Sequence, residues 1–266
     1  MSYSLILVSL AVLFFCLLCG AIQIGCHVGR RDRSDEGSGR SGAAAIEASV
    51  FALLGLLVAF TFSGAAQRMV ERRNLLVQEV NAIGTAWLRI DMLNATDQPP
   101  LREQFRRYVD ERINYYRHVA DLDQRDAIAD NVGAIQKEIW TSSMQAANRS
   151  TPPFAAAYAS AVNDMFDVST AQTVAQKVHP PLVTYLFLAF LALVCGYFVG
   201  LNLAKGERGS LVHQALYALV MTAALYIIID FEFPRIGVIR IDQSDALLLA
   251  QRSAMSGLPG LNEQRQ

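Results

Sequence analysis

The chain has 266 residues, of which 53% are hydrophobic and 18% are charged, and its mean hydropathy is +0.27. Soluble domains of this length are less apolar and more charged, so the composition indicates a membrane protein. The formal net charge of −1 excludes the basic excess that is typical of nucleic-acid-binding proteins.

The first apolar run extends from Tyr3 to Ile24 without a charged residue. As a helix it would reach ~33 Å, enough to cross a hydrocarbon core of ~30 Å. No Lys or Arg precedes it, so we interpret it as a retained span and not as a cleaved signal peptide. Cys16 and Cys19 form a CxxC inside this run, where we expect small hydrophobic residues and neither a redox role nor a metal site.

Three further apolar runs cover about residues 43–66, 182–203 and 211–229. The second run contains one charged residue, Glu47, near its start, and the fourth stops at Asp230. Backbone amides in lipid must be paired within their own segment, so such runs form helices. The sequence therefore predicts an all-α integral membrane protein with four transmembrane helices in two hairpins.

Between the hairpins lies a segment of ordinary soluble composition that has helical periodicity throughout. Apolar residues recur at spacings of three and four after the second span, and a polar stripe lies about 200° around the same helix. One long helix is therefore predicted to continue out of the membrane until Pro99. The apolar residues are Leu76, Val80, Ile83, Trp87 and Ile90, and the polar ones are Asn74, Gln78, Asn81, Thr85 and Arg89.

Further helices are predicted to start at Pro99-Pro100 and at Pro152-Pro153, since proline favours the first turn of a helix. The predicted organisation has four parts. They are a first hairpin over residues 1–66, a helical soluble domain over 67–180, a second hairpin over 181–230 and a C-terminal tail over 231–266.

The positively charged residues near the spans do not determine the orientation, because six lie on each side of the predicted membrane. One side has Arg30, Arg31, Arg33, Arg40, Lys205 and Arg208, and the other has Arg68, Arg72, Arg73, Lys177, Arg235 and Arg240. The density of charge in the two short turns favours a cytoplasmic position for those turns and counts against a cytoplasmic middle domain.

The stretch from Leu53 to Arg89 resembles the bestrophin-like family of bacterial membrane proteins. The matching pieces are Ala59-Phe60-Thr61-Phe62, Arg68, Arg72-Arg73, Glu79, Asn81-Ala82-Ile83-Gly84-Thr85-Ala86 and Leu88-Arg89. Two later segments also fit the family: Arg107-Tyr108-Val109-Asp110-x-Arg112, and DFEFPRIG from Asp230 to Gly237. The resemblance covers about residues 43 to 245.

True bestrophins are anion channels of five subunits with four spans in each, and their second span lines the pore. The resemblance therefore implies a homo-oligomer in a bacterial inner membrane, with small anions as the transported species and a cytoplasmic middle domain. It implies no cofactor. The chain lacks the acidic calcium-binding cluster of the animal bestrophins, so calcium gating is not expected.

A channel would place Asn81 and Thr85 against water, and Phe60 or Phe62 would form a hydrophobic constriction that gates by dewetting. Arg68, Arg72 and Arg73 follow the span, where a ring of cations would favour anions. The alternative for the arginines is that they are interfacial anchors. The alternative for Asn81 and Thr85 is a solvated face or hydrogen bonds between helices.

Several carboxylates are further candidates. Glu47 lies about one turn inside the second span, where it either has a function or faces the headgroups. Asp230 and Glu232 end the fourth span and are expected to pair with Arg235. Glu79 is expected to form a surface pair with Arg72, seven residues away on the same helix.

The alternative function is a non-conducting sensor or scaffold that acts through the helical middle domain. Gly196-x-x-x-Gly200 fits a helix-packing motif and favours oligomerisation under either hypothesis. We do not expect an enzyme, because the sequence has no phosphate-binding glycine loop, no GxSxG elbow and no His/Glu metal motif.

Overall fold

The computed structural model describes residues 3–31, 40–119, 121–204, 211–233 and 242–256. Within these ranges the chain is helical and contains no strand, which confirms the predicted all-α class. The helices are α1 (Tyr3–Arg31), α2 (Arg40–Arg89), α3 (Gln98–Arg117), α4 (Leu122–Ala147), α5 (Pro152–Lys177), α6 (Leu182–Leu203), α7 (Leu211–Glu232) and α8 (Asp242–Ala254). A 3-10 turn, Ile90–Met92, follows α2.

Helices α3 and α5 begin at the prolines that were predicted to start them. Helices α3 and α5 both have proline in their first turn, where the missing amide hydrogen costs nothing. Helix α4 is capped by Asp121, whose carboxylate accepts a hydrogen bond of 3.2 Å from the backbone amide of Gln124.

Four apolar helices, α1, α2, α6 and α7, are long and apolar enough to cross a membrane. Helix α2 has 50 residues and is therefore about 75 Å long, more than twice the thickness of a hydrocarbon core. A single bilayer therefore cannot contain the whole of this uninterrupted helix.

The chain divides into two compact units. The membrane unit consists of residues 1–69 and 179–239, and the helical unit consists of residues 70–178 and 240–266. Helix α2 contributes its first part to the membrane unit and its second part to the helical unit.

The most extensive packing in the membrane unit is between α1 and α6, which run parallel. A Cβ atom at Gly25 would overlap the carbonyl oxygen of Tyr197, and one at Gly200 would overlap that of Ile22. The two helices therefore approach each other backbone to backbone. The Gly196-x-x-x-Gly200 motif thus joins two helices of the same chain, whereas the sequence suggested a role in oligomerisation.

The core of the helical unit is formed by side chains from α2, α3, α4, α5 and α8. Helix α8 lies in the segment predicted as a tail, and it adds Leu248 to this core. The guanidinium of Arg252 on α8 donates two hydrogen bonds, of 2.8 and 3.0 Å, to the carboxylate of Asp110 on α3. The chain after the fourth span thus returns to the helical unit.

Candidate functional site on helix α2

In the helical unit, α2 has an exposed face composed of polar side chains. Glu71, Asn74, Gln78, Asn81 and Thr85 are all exposed and follow one another at spacings of three and four residues, which places them on one side of the helix. The hydroxyl of Thr85 donates a hydrogen bond of 2.9 Å to the backbone carbonyl of Asn81. This polar face contains the predicted Asn81 and Thr85.

In the membrane unit, α2 exposes Phe60, Ser63 and Gln67 at the same spacing. Phe60 is 66% exposed, whereas Phe62 is 42% exposed and its ring packs against that of Phe231 on α7 with a centroid separation of 5.4 Å. Of the two phenylalanines proposed as a constriction, Phe60 is therefore the one on the exposed polar-lined side of α2.

Arg72 is buried in the helical unit and holds the end of α5. Its Nε donates a hydrogen bond of 2.9 Å to the carbonyl oxygen of Ala175, and its Nη2 donates one of 3.0 Å to that of Val178. The last carbonyls of a helix have no partners within the helix, so a cation there satisfies both their hydrogen bonding and the helix dipole.

The three arginines that the sequence grouped into one cationic ring are in different environments. Arg72 is only 2% exposed and is bound to backbone carbonyls, so it cannot present its charge to an ion. Arg73 is exposed, but two residues correspond to about 200° around a helix, so it lies opposite Glu71. Arg72 and Arg73 differ by about 100° around the helix, and Arg68, one turn before Arg72, is paired with Glu232, so the three do not form one cationic surface.

Arg68 forms an ion pair in the membrane unit. Its Nε donates a hydrogen bond of 2.7 Å to Oε1 of Glu232, whose side chain is fully buried at the end of α7. The Nδ1 atom of His179 lies 3.5 Å from the second carboxylate oxygen of Glu232, and its ring stacks on Phe233 with a centroid separation of 4.6 Å.

The partner expected for the carboxylates at the end of the fourth span, Arg235, lies outside the described residues. Within the described part, Glu232 binds Arg68, and Asp230 is buried with 1% exposure. The carboxylates therefore belong to the interior of the membrane unit.

Glu79 is part of a buried polar network and does not pair with Arg72 on the helix surface. Nε of Arg112 donates a hydrogen bond of 2.5 Å to Oε1 of Glu79, and Nη2 donates one of 3.1 Å to Oε2. The hydroxyl of Tyr116 donates a further hydrogen bond of 2.5 Å to Oε2. The predicted surface pair of Glu79 with Arg72 is wrong, because Glu79 faces α3. Its partner there is Arg112, which also belongs to the segments that resemble the family.

The network alters the pKa values of its members. Burial alone would lower the pKa of the Arg112 guanidinium, but the adjacent negative charge of Glu79 raises it well above its usual value. Burial raises the pKa of the Tyr116 hydroxyl well above its usual value, and the carboxylate of Glu79 raises it further. Arg112 is therefore charged and Tyr116 neutral at any physiological pH.

Two remaining candidates bind neighbouring helices. The carboxylate of Glu47 accepts a hydrogen bond of 2.7 Å from Nδ2 of Asn202 on α6, and Glu47 is partly exposed. Nη1 of Arg89 donates a hydrogen bond of 2.5 Å to the backbone carbonyl of Ala157 on α5. Arg89 thus attaches the end of α2 to the helical unit.

No group of three His, Cys, Asp or Glu side chains in the described residues is placed to hold a metal ion. In the helical unit, the exposed face of α2 has neutral polar side chains and one carboxylate, that of Glu71. Glu71 is not among the candidates predicted from the sequence, although its spacing of three residues before Asn74 places it on the same face of α2.

Four apolar helices with a polar-faced continuation of the second define a multi-pass α-helical membrane protein. A family model described as Bestrophin-like domain matches residues 12–246, and the chain belongs to this family. The fold is similar to that of a mutant bacterial bestrophin homologue from Klebsiella pneumoniae, with a TM-score of 0.60 and 13% sequence identity over 93% of this chain and 99% of the other. No curated protein matches the sequence.

Proposed function

We propose that this protein is an oligomeric ion channel in which helix α2 of each copy lines the pore. The observation that carries the proposal is the exposed face of α2, on which Phe60, Ser63 and Gln67 precede a polar series that ends at Thr85. Ser63 and Gln67 lie on this face in the membrane unit, and polar side chains on a helix that crosses a bilayer must be directed to water or to another protein surface.

A ring of copies would turn these faces toward a common axis and enclose water. Phe60 is 66% exposed and would narrow the path within the membrane, where an apolar constriction excludes water and ions until it widens. Membership of the bestrophin-like family supports this arrangement, since the resemblance implies channels of several subunits that conduct anions. We place the channel in a bacterial inner membrane, with the helical unit in the cytoplasm.

A non-conducting scaffold is the second candidate. It is favoured by large apolar side chains that are exposed on the helical unit, among them Leu88 at 67% and Val174 at 53%. Contiguous exposed apolar patches mark protein-binding surfaces, and these residues are the candidates for such a patch. In that case a partner protein would bind these side chains, the membrane helices would serve only as an anchor, and no ion would cross.

Ion flux through liposomes with purified protein separates the two functions. We expect flux with the wild-type protein and a larger flux with Phe60→Ala, because the smaller side chain widens the constriction. Phe62→Ala is the matched control, since Phe62 packs on Phe231 and should not change the ion path. Absence of flux over a range of voltages, together with a partner recovered through the helical unit, would favour the scaffold.

The position of the helical unit is tested by a reporter inserted after Ser256, beyond the end of α8, which packs in the helical unit. A reporter that is active only in the cytoplasm should be active at this position. Activity of a periplasmic reporter there would place the helical unit on the other side of the membrane.

A further inference from the structure

Helices α1, α6 and α7 of the membrane unit enclose a partly open cavity of about 500 Å³. This volume is within the range of small-molecule sites. The lining is almost entirely apolar, and cavities of this kind exclude water and take up apolar molecules. The side chains that line it include Leu7 and Phe14 on α1, Tyr185 and Ala189 on α6, and Thr222 and Tyr226 on α7.

The cavity extends from the end of α7 to the middle of that helix. His179, which precedes α6, and Phe233, which follows α7, line one end of the cavity. Thr222 lies at the midpoint of the 22-residue helix α7, and the distance from there to Phe233 is about 16 Å along a helix. A molecule that reaches Thr222 is therefore surrounded by apolar groups, so that part of it must be uncharged.

The hydroxyl of Thr222 is buried and has no hydrogen-bond partner among the described residues. A threonine within a helix can satisfy its hydroxyl on the backbone carbonyl four residues earlier. Other threonines of this chain do so, namely Thr61, Thr85, Thr141, Thr170 and Thr173. The Thr222 hydroxyl is thus available to donate a hydrogen bond to a molecule in the cavity.

We propose that this cavity binds an uncharged lipophilic molecule with a carbonyl oxygen, which accepts a hydrogen bond from Thr222. One hydrogen bond then satisfies both groups, whereas a hydroxyl on the ligand would bring a second donor into the apolar cavity. Phospholipids and fatty acids do not fit this site, because their charged groups must stay near the hydrated membrane surface. The cavity is separate from the exposed face of α2, so its test is independent of ion conduction.

The test compares two probes of the same chain length, methyl decyl ketone and dodecane, which differ by one carbonyl group. Each is added at the same mole fraction to detergent micelles that contain the full-length protein. The affinity follows from the rise in unfolding temperature with probe concentration. We expect the ketone to bind about tenfold more tightly than dodecane, because one buried hydrogen bond has an effect of this size.

Two pairs of variants assign the binding to the cavity and to the hydroxyl. Thr222→Val removes the hydroxyl with little change in size, so the ketone should lose its advantage while dodecane binds as before. Thr61→Val is the matched control, since that hydroxyl donates to the carbonyl of Leu57 and does not line the cavity. Ala189→Phe fills the cavity and should abolish binding of both probes, whereas Ala223→Phe, at an exposed position outside the lining, should not.

Equal affinities of the ketone and dodecane for the wild-type protein, or a ketone advantage that survives Thr222→Val, overturn the inference. Dodecanoate that binds as tightly as the ketone also overturns it, because the cavity would then take the tails of charged lipids. Absence of binding by every probe would show that the cavity is filled in the assembled protein, with the same consequence. Thr222→Val protein that elutes like the wild-type protein in size-exclusion chromatography attributes a lost ketone advantage to the hydroxyl.

Discussion

The carboxylate of Glu79 on α2 and the guanidinium of Arg112 on α3 form a fully buried ion pair in the helical unit. Two hydrogen bonds, of 2.5 and 3.1 Å, join them, and their side chains are 0% and 1% exposed. Burial removes the hydration of both charges, so each depends on the other for its electrostatic compensation. We expect this pair to select the position of α3 along α2.

Removal of one member of the pair should destabilise the helical unit severely. Arg112→Met leaves the Glu79 carboxylate buried without its cation, and the expected loss is about 3–5 kcal/mol. The double variant Glu79→Leu with Arg112→Met should recover most of this loss, because no unpaired charge remains. Unfolding in detergent, followed by circular dichroism, measures both effects.

The control for this pair is Arg107→Met. Arg107 and Glu138 form an exposed ion pair of 3.3 Å, with side chains 53% and 50% exposed. Exposed pairs contribute about 0–1 kcal/mol, so this variant should unfold almost like the wild-type protein. A double variant as unstable as Arg112→Met alone would contradict the explanation by an unpaired buried charge.

Tyr116 should make the stability sensitive to alkaline pH. Its pKa in the folded protein is raised by burial and by Glu79, whereas in the unfolded chain it is about 10. A raised pKa means that the contribution to stability is complete below about pH 10 and is lost as the pH rises toward the folded pKa. Tyr116→Phe should therefore reduce the alkaline loss of stability.

The measurement compares wild-type and Tyr116→Phe unfolding as the pH is raised from neutral to above the unfolded pKa of tyrosine. At neutral pH the variant should be less stable by about 1.5–3 kcal/mol, since the hydroxyl binds a charged carboxylate. Equal slopes of stability against pH for the two proteins would show that Tyr116 does not cause the alkaline effect.

Arg72 and Arg73 are neighbours in sequence that should respond differently to the same substitution. Arg72→Gln removes a buried cation and its hydrogen bonds to the carbonyls of Ala175 and Val178, and hydrogen bonds to a charged group contribute about 1.5–3 kcal/mol. Arg73→Gln changes an exposed side chain and should stay within about 0.5 kcal/mol of the wild-type protein. Thermal unfolding of the two variants side by side gives the comparison, and equal losses would refute the assigned role of Arg72.

Gly25 and Gly20 provide a matched test of the close contact between α1 and α6. A Cβ at Gly25 would overlap the backbone of Tyr197, so Gly25→Ala should force the helices apart and cost about 1–3 kcal/mol. A Cβ at Gly20 would meet no atom within 4 Å, so Gly20→Ala should be neutral or slightly stabilising. Thermal unfolding of the detergent-solubilised protein measures the stability of both variants. A Gly25→Ala variant as stable as the wild-type protein would contradict the close packing of α1 and α6.

Much of the fold follows from local properties of the sequence. The four apolar helices follow from the length and composition of the apolar runs, because lipid requires each segment to pair its own backbone amides. The starts of α3 and α5 follow from their prolines, and the continuation of α2 beyond the membrane follows from its uninterrupted periodicity. These features depend on residues only a few positions apart.

The partners of the charged residues could not be predicted in the same way. Glu79 binds a residue 33 positions later in the chain, and Arg72 binds carbonyls more than 100 positions later. From its sequence position alone, Arg72 therefore belongs with its neighbours Arg68 and Arg73 on α2. Only the packing of α3 and α5 against α2 decides which of these side chains are buried.

Hydropathy and periodicity are sufficient to predict a helical membrane protein whose second span continues as an amphipathic helix. They do not predict that Arg72 supports α5, that Gly200 packs against α1 or that Glu71 stays on the exposed polar face of α2. Hydropathy and periodicity act within a single helix, whereas burial and pairing arise only when distant helices come into contact.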